Sequence, residues 1–367
     1  MSTYTKSPLS GLVVANNMIM EAETAHVLQT GQMLTAFGRV TPEVSYLWPD
    51  FGPRVAWLDE LPVTLRPIGC RLRHGIGRYT EFALRLRRPL YEAPPALLFT
   101  RNLGVALVAQ QMARQVVLEL HQGLAPRARW VASWLGERVR IVAISEGLRR
   151  HLIEIDGFAP ERVTVCHDGV EVERFATAEP LPPEQRPSLA TRLTHLYYGS
   201  MRPERGLGLI RQAAEQLPDH GFVLVGGTAT EVAAARAAGL DRPNVRIMPA
   251  WPHRDIPRLI RSFDTVLLPY TRAVTTHSWM SPLKLFEVMA SGIPAVVSRF
   301  PSIAEVVDDS HVTFIDSDDP DSLAIVLHAI AANPAAAQAR AQAAQALART
   351  RYSWERRAQD ILTLGAD

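Results

Sequence analysis

Short runs of four to six apolar residues alternate with amphipathic stretches along the whole chain, the pattern of parallel strands covered by helices. In the first half it predicts strands near 11–15, 97–100, 116–120, 139–144 and 163–167, with helices over 29–37, 103–114 and 146–155. Between residues 50 and 95, prolines at 53, 62, 67, 89, 94 and 95 interrupt every period, and only loose assignments follow there. Pro180, Pro182, Pro183 and Pro187 mark a linker. The alternation then restarts, with strands at 194–198, 221–225, 245–248, 265–268, 295–298 and 312–315. Helices are expected over 208–216, 229–238, 255–262, 282–291, 320–333, 335–350 and 353–364, the last with Trp354 and Ile361 on an apolar stripe. No repeat of fixed short period is visible. This reads as an α/β chain of two domains, 1–180 and 193–352, joined by a linker at 181–192.

Composition narrows the class without choosing a function. The chain has 367 residues, 47% of them hydrophobic and 21% charged, enough for two cores of a soluble protein. A net charge of +2 supplies no global basic field, so no nucleic-acid partner is expected. Cys70 and Cys166 are too few and too far apart for a disulfide framework or a zinc motif. No apolar run approaches the roughly 18 residues of a membrane span, and the N-terminus lacks the order of a signal peptide. A cytoplasmic location is expected.

Lysine occurs only at positions 6 and 284; every other cationic side chain is arginine. Lys284 stands in Ser281-Pro282-Leu283-Lys284-Leu285-Phe286-Glu287, with Pro282 suited to a helix start and Gly292-Ile293-Pro294 to its end. Glu287 follows three residues later, on the same helical face. A helix N-terminus with an ammonium and then a carboxylate can hold a diphosphate followed by a ribose. The residues alone equally allow a solvated Lys-Glu pair.

The segment Ser281–Gly292 resembles the donor-binding helix of retaining GT-B glycosyltransferases, in particular the large GT4 family. The likeness continues in order through Leu98-Phe99-Thr100-Arg101-Asn102, Glu119-Leu120-His121, the strand and helix start at 141–148, the segment from Val163 to Phe175, and Gly199-Ser200 with Pro203-Glu204-Arg205-Gly206. It implies two Rossmann-like domains facing across a cleft, with the C-terminal helix 353–367 crossing back to the first. It also implies a metal-independent hexosyltransferase that uses a nucleotide-diphosphate sugar as substrate and needs no cofactor. Glycan or lipid-linked acceptors would be its partners, and the inner face of the cell membrane its place of work.

Carried over position by position, the resemblance makes Arg205 and Lys284 the clamp on the leaving diphosphate, in place of a divalent metal. Glu287 would be the ribose ligand. Gly199, Ser200 and Leu283 would lie along the phosphates and Trp251 near the nucleobase; Tyr270 would touch the diphosphate or, equally, serve packing. His121 would orient donor or acceptor. Arg101 would contact acceptor or bridge the domains, or equally pair structurally with Glu119. The chain departs from the family at Ser200, where an arginine is frequent and whose missing charge Arg202 would supply; at Trp279, where a first carboxylate is usual; and at Asn16-Asn17, where Gly-Gly is common. With no carboxylate at 279, backbone amides near 280–283 or His277 would hold the sugar.

Residues 66 to 101 carry eight arginines against Glu81 and Glu92, with Leu84, Leu86, Leu90 and Tyr91 interleaved. This segment fits peripheral contact with an anionic membrane or a solvated helix equally. The same departures at Ser200, Trp279 and Asn16-Asn17 feed the alternative function, a catalytically silent sugar-nucleotide-binding or scaffold protein. An epimerase on this fold lacks the paired carboxylates it would need.

Overall fold

The computed structural model describes residues 11–21, 24–187, 189 and 191–365, and Lys6 lies outside them. The chain divides into two compact units, 1–167 with 354–367, and 168–353. The expected boundary at 180 therefore differs from the observed one. The cause is burial: Val172, Phe175 and Leu181 sit in the core of the second unit. Residues 181–187, expected as linker, belong to that unit too.

The first unit is built on a seven-stranded parallel sheet: β1 (Leu12–Ala15), β2 (Val44–Asp50), β3 (Thr64–Gly69), β4 (Leu97–Thr100), β5 (Gln115–Leu120), β6 (Val139–Ala143) and β7 (Val163–Val165). The spatial order is β3-β2-β1-β4-β5-β6-β7. β1, β4 and β5 read as continuous apolar runs because both faces of the sheet are covered. Its helices include α1 (Ala25–Val40), α2 (Gly75–Glu92), α3 (Leu103–Ala109), α4 (Pro126–Ala132) and α5 (Glu146–Glu154). Thr24 caps α1, its side chain accepting from the Val27 N–H at 3.3 Å. The C-terminal helix Trp354–Leu364 packs on α1, so the expected return to the first unit is observed.

The proline-rich stretch holds more order than its sequence suggests. β3 contains Pro67 and pairs only with β2, and an edge strand can spare the missing N–H. α2 runs for 18 residues with Pro89 in its last turn; the bond that an N–H at 89 would donate to the Arg85 carbonyl is lost there, but the helix ends within a turn, so little of it is disturbed.

The second unit repeats the winding with β8 (Leu193–Tyr198), β9 (His220–Val225), β10 (Val245–Met248), β11 (Thr265–Leu268), β12 (Ala295–Ser298) and β13 (Thr313–Ile315), in the order β10-β9-β8-β11-β12-β13. In each sheet the order reverses between the first strand and its fourth. Open parallel sheets bind ligands at that reversal, beyond the carboxyl ends of the strands.

Candidate active site

In the second unit the reversal lies between β8 and β11. β8 ends at Tyr198, and Gly199 follows with φ +124°, a conformation that favours glycine. A Cβ at 199 would collide with Lys284 Nζ. The lysine arrives from the helix Leu283–Ser291, which Pro282 precedes and Gly292 (φ +69°) terminates. Its Nζ lies 5.4 Å from the Tyr197 ring centroid and 5.3 Å from that of Tyr198. Burial, together with the positive charge of Arg205 and against the pull of Glu287, lowers its pKa to about 8.

Arg205 closes the short turn Pro203–Arg205. Gly206 follows with φ +82°, and a Cβ there would run into the Pro269 carbonyl. The turn is tied to the end of β11 by the Thr271 N–H donating to the Glu204 carbonyl at 3.1 Å. The Arg205 guanidinium stands 5.5 Å from the Tyr270 ring centroid, its Nε buried and without a partner. Arg202, the suggested replacement for a charge at Ser200, is exposed and paired with Glu204 at 3.2 Å.

Glu287 is buried, and both of its oxygens are held. Tyr198 Oη donates to Oε2 at 2.7 Å, and His253 Nε2 lies 2.8 Å from Oε1. Burial alone would raise the carboxyl; His253, Tyr198 and Lys284 outweigh it and hold the group below its ordinary value. Leu283 opens the helix, half-buried, and Ser200 turns its carbonyl to the Tyr197 hydroxyl at 2.5 Å. Trp251 packs half-buried against the core. His277 is fixed to its neighbour Ser278, Nδ1 to Oγ, at 3.0 Å.

Gly199, Ser200, Arg205, Tyr270, Leu283, Lys284 and Glu287 thus gather on the ends of β8 and β11 and the start of one helix. Sequence reasoning missed Tyr198 and His253 as holders of Glu287. It also missed Gly226-Gly227 after β9, both at positive φ, where a Cβ on Gly226 would strike the Gly199 carbonyl. A Gly-Gly pair closing a buried strand was the available signal. The expectation that no Asp-x-Asp stands at a strand end is overturned by Asp316-Ser317-Asp318, directly after β13; Asp318 pairs with Arg272 at 2.6 Å. Among the described residues no group of three or more His, Cys, Asp or Glu is placed to hold a metal ion.

In the first unit, side chains collect at the ends of β1, β4 and β5, again beside the reversal. Glu119 is fully buried. Arg101 Nε and His121 Nε2 each lie 2.7 Å from its Oε1, and Arg357 Nη2 donates to Oε2 at 2.6 Å. Burial would raise this carboxyl; the two guanidiniums and His121 keep it well below the ordinary range. Of the readings of Arg101, the structural pairing with Glu119 is present.

Asn16 Oδ1 accepts the Arg101 N–H at 2.8 Å, while Asn16 Nδ2 and the side-chain amide of Asn17 are buried without partners. Neither asparagine uses the left-handed backbone that Gly-Gly would permit. Arg357 was not singled out from sequence. Its partner is remote, and nothing local marks it.

Comparison with known proteins agrees with this fold. A "Glycosyltransferase Family 4" model matches residues 26–174, and a "Glycosyl transferase-like" model matches 205–363. The chain is similar to the putative teichuronic acid biosynthesis glycosyltransferase TuaH of Bacillus subtilis, 27% identical over 44% of this chain and 40% of that protein. It is also 27% identical to a D-inositol 3-phosphate glycosyltransferase of Xylanimonas cellulosilytica, over 63% of this chain and 59% of that one. It thus spans about half the length of these curated relatives.

Among solved structures, Anabaena HepE in complex with UDP and glucose aligns with TM-score 0.75 at 17% identity, over 97% of this chain and 99% of that one. A glycosyltransferase from Rickettsia africae aligns with TM-score 0.77 at 14% identity, over 97% and 98%. Two doubly wound units, with the C-terminal helix returned to the first, define a GT-B protein. The chain belongs to the GT4-like glycosyltransferases of that fold.

Proposed function

We propose that the chain is a retaining, metal-independent hexosyltransferase. It moves a hexosyl group from a nucleotide-diphosphate sugar to a hydroxyl of a glycan or lipid-linked acceptor, in the cytoplasm. The observation that carries this reading is the pairing of Lys284 and Arg205. Lys284 Nζ faces two aromatic rings, with no carboxylate in salt-bridge contact among the described residues, and Arg205 Nε is buried without a partner.

The glycosidic bond breaks with its electron pair passing to the β-phosphate oxygen, and Lys284 and Arg205 stabilise the charge that grows there. The acceptor oxygen attacks the face that the phosphate is leaving, and its proton passes to the departing phosphate oxygen. Configuration is therefore kept. Glu287, ionised and held in place by Tyr198 and His253, accepts from the ribose hydroxyls. Gly199, Ser200, Tyr270 and Leu283 line the phosphates, and Trp251 stands at the base. His121 orients the reacting groups, its ring fixed by Glu119.

The names of the relatives support a cell-surface glycan or a phosphorylated polyol as acceptor, and polysaccharide biosynthesis as the setting. The UDP and glucose in the HepE complex make UDP-hexoses the first donors to try. Ser200, Trp279 and Asn16-Asn17 favour one competing reading, a silent sugar-nucleotide-binding or scaffold protein. Hydrolysis without acceptor, assayed across UDP-, GDP- and ADP-sugars, separates the two. Release of nucleoside diphosphate supports the transferase, whereas tight binding with no release supports the silent domain.

A further inference from the structure

Every nitrogen of the Arg357 guanidinium has an acceptor. Nε donates to the His167 carbonyl at 2.8 Å and Nη1 to Met33 Sδ at 3.4 Å. Nη2 reaches both the Cys166 carbonyl at 3.3 Å and Glu119 Oε2 at 2.6 Å. The two carbonyls belong to the segment that leaves β7, so the backbone fixes the plane of the fork. The side chain is 2% exposed, and its guanidinium carbon lies 5.8 Å from the Trp354 ring centroid. A guanidinium pinned at three nitrogens cannot turn, and it denies rotation to the carboxylate it holds.

His121 rests on that same carboxylate. The two residues stand two apart at the end of β5 and so share one face. His121 Nε2 lies 2.7 Å from Glu119 Oε1, while Nδ1 has no hydrogen-bond partner among the described residues. An ionised carboxylate only accepts, so a neutral imidazole beside it carries its proton on Nε2. Nδ1 then keeps a lone pair. The charges point the same way. Glu119 brings one negative charge against two positive ones, on Arg101 and Arg357, before the imidazole is counted. His26 of α1 meets the ring edge-on, with centroids 6.5 Å apart. Behind the loop that follows, Asp156 accepts the Leu124 N–H at 2.8 Å, with Arg129 and His151 beside it. With both arginines in place, Glu119 has no unmatched charge with which to hold an imidazolium.

We propose that Arg357 is a positioning residue for sugar transfer. By holding Glu119 it keeps the His121 proton on Nε2 and leaves Nδ1 to accept from a substrate hydroxyl. An arginine that served the fold alone would tie down the C-terminal helix and leave the imidazole unaffected. The proposal rests on the transferase reading of His121. Its first measurement needs no turnover, so its failure and that of the enzymatic reading can be told apart.

The experiment is an NMR titration of the full chain carrying 15N-labelled histidine, from pH 5.5 to 8.5, with His121→Asn to assign the signals. At the alkaline end the wild-type His121 ring should be protonated predominantly on Nε2. In R357M one positive charge is gone, so the imidazolium should persist to a pH about one unit higher. R357K restores the charge and should return the titration to that of the wild type. E119Q/R357M has no carboxylate, so the preference for Nε2 should vanish and both tautomers should appear. That double variant keeps the question decidable if R357M alone does not fold. Under turnover, the acid limb of kcat in R357M should move up by the same amount, with donor KM within about twofold of wild type. A wild-type proton on Nδ1, an R357M titration that matches the wild type, or an E119Q/R357M protein that keeps the Nε2 preference would each overturn the proposal. So would a folded R357M with wild-type kcat and pH profile, since the arginine would then serve the fold alone.

Discussion

Arg357 Nη2 donates to Glu119 Oε2 at 2.6 Å across 238 residues of sequence. Neither side chain reaches water: Glu119 is 0% exposed and Arg357 2%. The guanidinium also donates from Nε to the His167 carbonyl at 2.8 Å. One residue of the C-terminal helix thus holds the second oxygen of the carboxylate at the end of β5, whose first oxygen Arg101 and His121 face, and fastens the last segment of the first unit. Arg357→Met leaves Oε2 buried and unpaired, which should cost about 3–5 kcal/mol. Urea unfolding followed by circular dichroism measures this. The double variant E119Q/R357M should recover part of the loss; a double variant no more stable than R357M would show that the charge is not the cause.

Removing either cation of the diphosphate clamp should cost the transferase about 3–4 kcal/mol of barrier, as removal of one preorganised partner of a developing anion does. Lys284→Ala and Arg205→Ala are therefore expected to turn over a few hundred-fold more slowly with the fold intact. Wild-type rates in either variant would take that residue out of the chemistry.

Nucleoside diphosphate affinity should depend on pH through Lys284, whose pKa is lowered to about 8. Binding needs the ammonium, so affinity should fall as pH rises through 8, by up to about tenfold per unit. Lys284→Met should flatten that dependence, which calorimetric titration from pH 6.5 to 9.5 can read. In the empty protein the sign is opposite. The charged form is disfavoured by the fold, so this lysine's share of stability grows as pH rises from 8 towards 10.5.

Glu287→Gln should weaken binding of the nucleoside diphosphate, whereas His121→Ala should leave it near wild type and lower turnover. His253→Leu, which removes the group fixing Glu287 Oε1, should resemble Glu287→Gln in affinity. If His121→Ala lost nucleotide affinity as badly as Glu287→Gln, this division of labour would be wrong.

Activity should survive EDTA, because Lys284 and Arg205 are assigned the neutralising role. Abolition by chelation with rescue by manganese would sink that assignment.

His195 is wholly buried in the second unit, with Nδ1 2.6 Å from Thr265 Oγ1 and Nε2 2.9 Å from His220 Nδ1. Burial, reinforced by His220, pushes its pKa down to about 3. Between pH 6.5 and about 3 the unfolded chain takes up a proton there that the native one refuses. Stability should then fall with acid by about 1.4 kcal/mol per pH unit from this group. Urea midpoints at pH 7, 6 and 5 test this, and His195→Gln should show a shallower loss.

The strands that are covered on both faces announced themselves as apolar runs, and β4, β5, β9, β11 and β12 fall where the pattern predicts. β2 did not, because Ser45 interrupts its apolar run and Pro49 and Asp50 end it. Edge strand β3 and helix α2 were hidden by prolines that an edge and a final helical turn tolerate. Lys284 and Glu287 were legible because their spacing on one helix is local. Their surroundings were not. His253 reaches Glu287 across 34 residues and Tyr198 across 89, contacts fixed by the sheet rather than by any motif.

The return of the C-terminal helix to the first unit has a consequence for the order in which the protein can be made. Synthesis runs from the N-terminus, and domains generally fold as their segments emerge. Here Glu119 leaves the ribosome long before Arg357, with all of β8–β13 translated in between. The strands of the second unit are all translated while Glu119 Oε2, at the end of β5, still lacks its guanidinium partner. The unit begun first is therefore the one finished last.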